Sequence, residues 1–437
     1  MSPSVQRRLL AVTAAAGLAL TMAACGGSDS GGSAGADEQI TLKVDTFGTF
    51  GYDALYKKYE AAHPNIKIVQ NTTGDLGKYT NALTQHIAAG SGAGDVVAIE
   101  EGGITQFLQA ANKFVNFQDN GFDAIKGNWL DWKTAQATTA DGKTTIGLGT
   151  DVGGLAMCYR TDLFKKAGLP TDRDAVSALW PTWDDFIATG QKFQAKIKGK
   201  TKFIDSATND YNSILLQVAG QSPGYTYFDK DNNFTFDTNP AVQSAWATTN
   251  KILSAGLSAN LKSFDTEWTA GFKNDAFATV ACPAWMTANI KGNAGAAGKG
   301  KWDIATIPGG SGSWGGSFLA VPTQSKHQKA AVELAKFLSS PEGQLSAFDE
   351  AGNLPSSPQD FENPKLADFK NPYFNDAPVA KIFVEGAKNL KPVYLGTKNQ
   401  AVRDAIENDL RSVEQGQRNA DEAWQQAIKD AKKAAGV

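Results

Sequence analysis

Histidine, cysteine and the motifs of common enzymes are scarce in this chain of 437 residues. The three histidines, His63, His86 and His327, are far apart and lack the spacing of a metal site. Two Gly-x-Ser-x-Gly strings occur, at 31–35 in a Gly/Ser-rich stretch and at 220–224 after a predicted helix, so neither has the strand-turn-helix context of a nucleophile elbow. The glycine-rich stretch 90–95 precedes a predicted strand instead of following one, unlike a dinucleotide-binding loop. We therefore expect no catalytic triad, no metal site and no bound cofactor.

The chain also lacks an excess of positive charge. It has 42 Lys and Arg against 45 Asp and Glu, a net charge of -3. The segment before Cys25 carries Arg7 and Arg8, so without it 40 basic residues face 45 acidic ones. No basic stripe is available to neutralise a polyphosphate, so nucleic acid is not an expected partner.

The apolar run of residues 9–24 follows Arg7 and Arg8 and ends in Ala-Ala-Cys25. It is short for a membrane span, which needs ~20 apolar residues, and its small residues suit a signal peptidase. We predict a signal peptide over 1–24. The ending resembles a bacterial lipobox, which predicts acylation of Cys25 and a membrane tether through the Gly/Ser-rich linker 25–37. The alternative is export without lipidation, with Cys25 as a leftover thiol.

Apolar strand-like runs alternate with helical patterns along the rest of the chain, which predicts an α/β fold with a largely parallel first sheet. About 400 residues exceed what one hydrophobic core usually supports, so two lobes are expected. Thr150, the glycine-rich break 308–313 and the proline-containing segment 354–358 are candidate crossings between the lobes. The predicted boundaries are 38–150 with 312–357 for the N-terminal lobe and 151–311 with 358–437 for the C-terminal lobe.

Two cysteines remain if Cys25 is lipidated. Cys158 and Cys282 each lie in a strand-like apolar segment, and an exported protein meets an oxidising compartment. Neighbouring strands of one sheet would allow a disulfide between them. Two buried free thiols are the alternative, because the sequence does not show how closely the two residues approach.

Several strings, in this order along the chain, carry a resemblance to a known family. They are the lipobox and its linker, Gly94-Asp95-Val96-Val97, the segment 157–170, Cys282-Pro283-Ala284-Trp285-Met286, Trp314-Gly315-Gly316-Ser317 and Ser340-Pro341-Glu342-Gly343-Gln344. Together they resemble the family 1 extracellular solute-binding proteins of carbohydrate ABC importers, in the form of actinobacterial lipoproteins related to the maltose-binding protein.

The resemblance implies a fold, a role and partners. The fold is the two-lobed periplasmic-binding-protein type II (Venus flytrap) fold with three hinge crossings. The role is capture of an oligosaccharide, without catalysis, and its delivery to the permease subunits of an ABC importer. A receptor of this kind is expected as a monomer, held by its lipid anchor on the extracellular face of the cell membrane.

Sugars offer apolar ring faces and peripheral hydroxyls, so a sugar site needs flat aromatic side chains and carboxylates or amides. Trp285 follows a predicted strand, and Trp314 with Gly315 lies next to the glycine-rich break. The resemblance implies that both tryptophans stack on sugar rings. Their alternative role is core packing, since large aromatic residues are mostly buried.

The polar candidates lie at predicted strand ends and crossings. Asp151 is the first choice, and Glu100 and Glu101 follow the predicted strand 95–99, at the edge where ligands of α/β sheets bind. Solvated loop ends or helix caps are the alternative roles for these acids. The remaining candidates, each with an equally ordinary role in a capping turn or in the core, are Asn209, Asp210, Tyr211, Phe47 and Phe50.

Two other functions stay open at this stage. An exported glycoside hydrolase would need paired carboxylates, but neighbouring strand residues point to opposite faces, so Glu100 and Glu101 form a poor catalytic pair. A receptor for a non-sugar solute, such as a polyamine or a phosphate ester, is the other alternative. Few clustered basic residues argue against a phosphate ligand.

Overall fold

The computed structural model describes residues 39–388 and 390–437. The predicted signal peptide, Cys25 and the linker 25–37 lie outside the described residues. In the described parts, the strands are β1 (Ile40–Phe47), β2 (Ile66–Thr73), β3 (Val96–Glu100), β4 (Leu148–Gly149), β5 (Leu155–Arg160), β6 (Lys202–Ile204), β7 (Phe277–Pro283), β8 (Trp302–Ala305) and β9 (Ser317–Ala320).

The α-helices surround two sheets built from these strands. In chain order they are α1 (Asp53–Ala62), α2 (Leu76–Ala89), α3 (Glu101–Leu108), α4 (Asp131–Gln136), α5 (Thr161–Lys166), α6 (Arg173–Ser177), α7 (Trp183–Lys196), α8 (Ala207–Gln221), α9 (Pro240–Ser254), α10 (Thr266–Gly271), α11 (Met286–Ala294), α12 (Gln328–Leu338), α13 (Pro341–Ala351), α14 (Pro364–Ala367), α15 (Val379–Lys388), α16 (Asn399–Glu414) and α17 (Ala420–Ala435). No helix in the described part of the chain is long and apolar enough to cross a bilayer.

The first sheet has the strand order β2-β1-β3-β9-β4. Strand β1 pairs in parallel with β2 and β3, as the alternation of strands and helices predicts. Strand β9 runs antiparallel to both β3 and β4, so the sheet is mixed and not largely parallel. The reason is that β9 comes from the far end of the chain, after the second sheet, and not through a local strand-helix-strand crossover.

The second sheet has the order β6-β7-β5-β8. Strand β5 is antiparallel to both of its neighbours, and β6 is parallel to β7. All of β5 and β7 is buried, because helices cover both faces of this sheet.

The disulfide that the sequence left open is present between β5 and β7. Cys158 and Cys282 are bonded, with their Cα atoms 5.5 Å apart. The antiparallel register pairs Cys158 with Val280 and Ala156 with Cys282, so the two cysteines are diagonal neighbours across the ladder. The bond lies inside a buried apolar cluster. It joins two residues that are 124 positions apart in the chain.

Three connecting segments run side by side between the sheets. The first links Gly149 of the first sheet to Leu155 of the second, and the second returns between β8 and β9. The third is the proline-containing segment 354–358. Thr150 N donates to Ser317 O at 3.0 Å, and Val152 N donates to Leu354 O at 2.9 Å. The predicted crossings therefore lie in hydrogen-bonded contact, while the exact lobe boundaries stay a prediction.

Candidate functional site

The carboxyl end of β3 places the two glutamates in different roles. Glu100 ends the strand and caps α3 by accepting a hydrogen bond from Gly102 N at 2.8 Å. Burial raises the pKa of Glu100, and the nearby positive charge of Arg403 opposes this rise. Glu101 opens α3, and its backbone N–H donates to Gly316 O at 2.9 Å. The helix therefore starts directly at the strand end.

A buried lysine joins two of the predicted carboxylates. Lys133 of α4 is 0% exposed, and its Nζ lies 2.9 Å from Glu101 Oε2 and 4.2 Å from the centroid of the Phe318 ring. Asp151 is also buried, and it accepts a hydrogen bond from Thr150 Oγ1 at 2.7 Å. Burial raises the pKa of Asp151, and Lys133 opposes the rise. Glu101, Asp151 and Lys133 thus form one charged network at the crossing.

The two predicted tryptophans contact each other beside this network. Trp285 lies at the N-terminus of α11, directly after β7, and Trp314 lies in the return crossing. Their ring centroids are 5.7 Å apart with an interplanar angle of 70°, and Trp285 Nε1 donates to Trp314 O at 3.1 Å. Trp314 N in turn donates to Gly153 O at 2.8 Å. One tryptophan from the second sheet and one from a crossing therefore share one edge-to-face contact.

Glycine is needed where these segments meet. A Cβ atom at Gly153 would lie 1.8 Å from Trp314 O, so any other residue would push the two crossings apart. Gly315 has a φ of +77°, and a Cβ there would lie 3.2 Å from Trp285 Nε1. Gly153 thus permits the close approach of two backbone segments, and Gly315 permits the close approach of backbone to the indole ring of Trp285.

Two adjoining pockets lie against these residues. The smaller is lined by Glu100, Glu101, Asn212, Tyr227, Trp314, Gly315, Asn399 and Arg403, among others. The larger has a volume of about 130 Å³ and shares Glu101 with the first. Its other polar or aromatic lining residues include Trp132, Gln217, Gln221, Ser313 and Lys391.

The structure brings together only part of the predicted set. Glu100, Glu101, Trp314 and Gly315 line the smaller pocket, and Trp285 and Asp151 are one contact away. Asn209, Asp210 and Tyr211 form the buried first turns of α8, and from this segment it is the next residue, Asn212, that lines the pocket. Phe47 and Phe50 pack edge to face at 5.3 Å and contact the core of the first sheet.

The predicted cluster on α8 is engaged with its own surroundings. Asn209 donates its side-chain amide to Asp205, which also accepts from Trp268 Nε1 at 2.6 Å. Burial raises the pKa of Asp205 to about 7 and raises that of Asp210 well above its usual range. Neither oxygen of Asp210 has a hydrogen-bond partner among the described residues.

Sequence reasoning missed the cationic residues of the site. Lys133 is in a short helix without a distinctive pattern, and Arg403 lies on a helix whose charges read as a solvated face. Arg403 lies 3.7 Å from Glu407 Oε1, and Asn212 Nδ2 donates to the same oxygen at 2.7 Å. Only the tertiary packing of α16 on α3 and α8 brings Arg403 and Asn212 to the pocket. Among residues 39–388 and 390–437, no group of His, Cys, Asp and Glu is arranged to hold a metal ion.

Comparisons with known proteins agree on one family. The family model described as bacterial extracellular solute-binding protein matches residues 54–371. The arabinooligosaccharide-binding protein of Bacillus subtilis (strain 168) is 27% identical over 400 residues, which cover 86% of this chain and 87% of that protein.

Solved structures agree as well. A crystal structure of an extracellular solute-binding protein family 1 is 41% identical, with a TM-score of 0.78, and the match covers 91% of this chain and 100% of that one. The ABC transporter associated binding protein of B. animalis subsp. lactis Bl-04, solved with β-1,6-galactobiose, is 20% identical, with a TM-score of 0.77 and coverage of 91% and 99%. The predicted two-lobed α/β fold is confirmed, and the chain belongs to the bacterial extracellular solute-binding proteins.

Proposed function

We propose that this protein binds an oligosaccharide outside the cytoplasm and delivers it to the permease of an ABC importer. The observation that carries the proposal is the pair Trp285 and Trp314, which lies beside the carboxylates of Glu100 and Glu101 where the two sheets meet. Indole rings offer apolar faces to sugar C–H groups, and carboxylates accept hydrogen bonds from sugar hydroxyls.

The balance of charge supports a neutral, hydroxyl-rich ligand. Glu100, Glu101, Asp151 and Glu407 lie in or beside the two pockets, against Lys133, Arg403 and Lys391 among the described lining and network residues. Two of these cations are already paired with a glutamate, Lys133 with Glu101 and Arg403 with Glu407. An anionic ligand such as a phosphate ester would therefore meet excess negative charge.

The same contacts speak against a glycoside hydrolase. A hydrolase needs one carboxylate free to protonate the leaving group and a second to attack or to activate water. Glu100 is held as the cap of α3, and Glu101 is held by Lys133. We therefore propose a binding role for both residues and no catalysis.

The relative from Bacillus subtilis makes arabino-oligosaccharides the first ligands to test. We further propose that Cys25 carries the lipid anchor, that the linker 25–37 tethers the receptor to the extracellular face of the membrane, and that the receptor is a monomer. The support for the anchor is the Ala-Ala-Cys ending of the apolar run.

Calorimetry with arabino-, xylo-, malto- and cello-oligosaccharides, together with a reducing-sugar assay, tests this function. We expect saturable binding to one series without turnover. Replacing Trp285 or Trp314 by Ala should weaken binding by at least ten-fold, a loss of ~1.4 kcal/mol, because each removes an aromatic face. Release of reducing ends would instead identify a hydrolase.

A matched control separates loss of the site from general destabilisation. Trp424 of α17 packs against Phe236 and Trp246 in the core, away from the pocket, so Trp424→Phe should leave sugar affinity unchanged. Thermal unfolding of each variant checks that it is folded. Unchanged affinity in both Trp285→Ala and Trp314→Ala would remove the tryptophans from the site.

A further inference from the structure

Phe264 is a solvent-exposed aromatic residue that lies next to Trp285 of the candidate site. Its side chain is 50% exposed, and in the described part of the chain only Val69 and Val437 are comparably exposed large apolar residues. Single exposed apolar residues are common on protein surfaces. Phe264 differs because its backbone and its neighbours are also unusual.

The backbone at Phe264 has a conformation that this residue type rarely adopts. Asp265 N donates to Lys262 O at 3.1 Å, which closes a four-residue turn with Phe264 in its third position. The φ of Phe264 is +66°. Glycine or asparagine normally supplies a positive φ at this position of a turn, and a bulky residue there is an outlier. An outlier of this kind supports a hypothesis of function.

Contacts on both sides hold the turn in place. Ser263 Oγ shares a hydrogen bond of 3.1 Å with Thr208 Oγ1 at the start of α8. On the other side, Asp265 caps α10, and Trp268 of that helix donates to Asp205. The turn that carries Phe264 is therefore fixed by hydrogen bonds on both sides.

Phe264, Trp285 and Trp314 form a continuous row of aromatic rings, in which Trp285 contacts both of the others. The ring centroid of Phe264 lies 6.2 Å from that of Trp285, at an interplanar angle of 33°. A Cβ atom at Gly315 would lie 3.2 Å from Trp285 Nε1 and 3.8 Å from Glu100 Oε1. The row thus runs from Glu100, at the buried end, to Phe264 at the exposed end.

The surroundings of the ring match a sugar better than a protein surface. Lys262, Asp265, Thr266 and Glu267 are all exposed around it, so a single flat apolar face is bordered by polar groups. A protein partner normally needs a contiguous apolar patch. A sugar ring needs only one such face, with polar groups within reach of its hydroxyls.

We propose that Phe264 forms an outer subsite, where it stacks on a sugar ring of the ligand beyond the ring held at Trp285 and Trp314. This inference rests on the proposed function and adds that the ligand chain extends from the cleft past the turn 262–265. The receptor therefore gains affinity from ligand length.

The test uses calorimetry of the exported chain, without its leader, with linear arabino-oligosaccharides from the disaccharide to the pentasaccharide, or with the same lengths of whichever series in the panel binds. Phe264→Asn is the main variant, because asparagine tolerates the positive φ while it removes the ring. We expect its melting temperature to be at least that of the wild type. Affinity for the longer ligands should fall about ten-fold, ~1.4 kcal/mol, with the shortest bound ligand unaffected.

Three further measurements make the outcome decisive. Phe264→Trp should restore the affinity for long ligands and Phe264→Leu should not, because only the former offers a flat ring. Val69→Ala, the matched exposed apolar control on β2, should bind every length like the wild type. An equal loss at all lengths, or no loss at any length, overturns the subsite while leaving the proposed function standing. If the wild type binds no member of the panel, the proposed function fails and the subsite fails with it.

Discussion

At the scale of single residues, the buried carboxylates beside the second sheet, on and next to α8 and α16, set a dependence on pH. Burial raises the pKa of Asp205 to about 7, and it also raises the pKa of the neighbouring Asp210 and Glu414. These three groups therefore bind more protons in the folded protein than in the unfolded chain, for Asp205 between about pH 4 and pH 7. Their contribution to stability is highest on the acidic side of this window and falls as the pH rises through it.

Replacing Asp205 by Asn should flatten this dependence. The amide oxygen of Asn keeps an acceptor for Trp268 Nε1 and Asn209 without the cost of a buried charge. We expect Asp205→Asn to gain roughly 2–4 kcal/mol relative to the wild type at pH 8 and little at pH 4.5. Thermal or urea unfolding across this range measures it.

A surface substitution provides the comparison for this experiment. Asp231 is exposed on a turn, so Asp231→Asn should keep the wild-type profile. A profile for Asp205→Asn as steep as that of the wild type would assign the effect to another group.

Residues of the candidate site differ in how visible they are in the sequence. Trp285 and Glu100 follow or end strands that apolar runs identify, and Trp314 lies next to a glycine-rich break, so their places at a sheet edge and at a crossing were predictable. Lys133 and Arg403 were not, because nothing local distinguishes a buried lysine or arginine from a solvated one. Their environment is created by elements more than 30 residues away in the chain.

At the scale of elements, the longer helices and most strands were predictable, and the shortest strands were not. The apolar spacing in the sequence predicts helices over 76–89 and 420–435, and these ranges coincide with α2 and α17 because both helices have a clear apolar stripe. The same spacing predicts a helix over 104–111, but α3 begins three residues earlier, since Glu100 caps it directly at the end of β3. Strand β4 has only two residues, too few for a pattern.

The bond between β5 and β7 gives a prediction at the same scale. It closes a loop of 124 residues, and the entropy that a crosslink removes from the unfolded chain grows with loop length. Replacing both Cys158 and Cys282 by Ala should cost about 2–5 kcal/mol of unfolding free energy. Sugar binding at moderate temperature should persist, since neither cysteine lines the pockets.

Guanidinium unfolding of this double variant, compared with the wild type in the presence and absence of reductant, measures the contribution. The reduced wild type should resemble the double variant. Equal midpoints for the oxidised wild type and the variant would show that the bond adds nothing to stability. Mass spectrometry of the alkylated, unreduced protein checks that the bond is present.

At the scale of the whole molecule, the order of short motifs along the chain was enough to predict the fold. Each motif alone is a weak signal, but their order and spacing together resemble those of the solute-binding proteins. The identity of the sugar was not predictable. In the proposed site it would depend on the positions of Arg403, Asn212 and Phe264, and distant parts of the chain determine each of these positions.

The narrow space around the tryptophans leads to the last prediction. Pockets for small molecules usually hold ~300–1,000 Å³, whereas the larger pocket here holds about 130 Å³. Trp285 and Trp314 contact each other, and Asn399 of α16 donates to Gly102 O of α3 at 3.4 Å. A sugar ring can enter only if the two sheets with their helices move apart, so the ligand must select between a more open and a more closed state.

Small-angle X-ray scattering of the ligand-free protein should therefore give a radius of gyration larger than that calculated from this structure for residues 39–437. Saturation with the oligosaccharide identified by calorimetry should reduce it, because a ligand that contacts both halves binds the closed state more tightly. An oligosaccharide that does not bind serves as the control and should leave the scattering unchanged. A ligand-free radius equal to the calculated value, and unaffected by the bound sugar, would contradict an opening movement of the two halves.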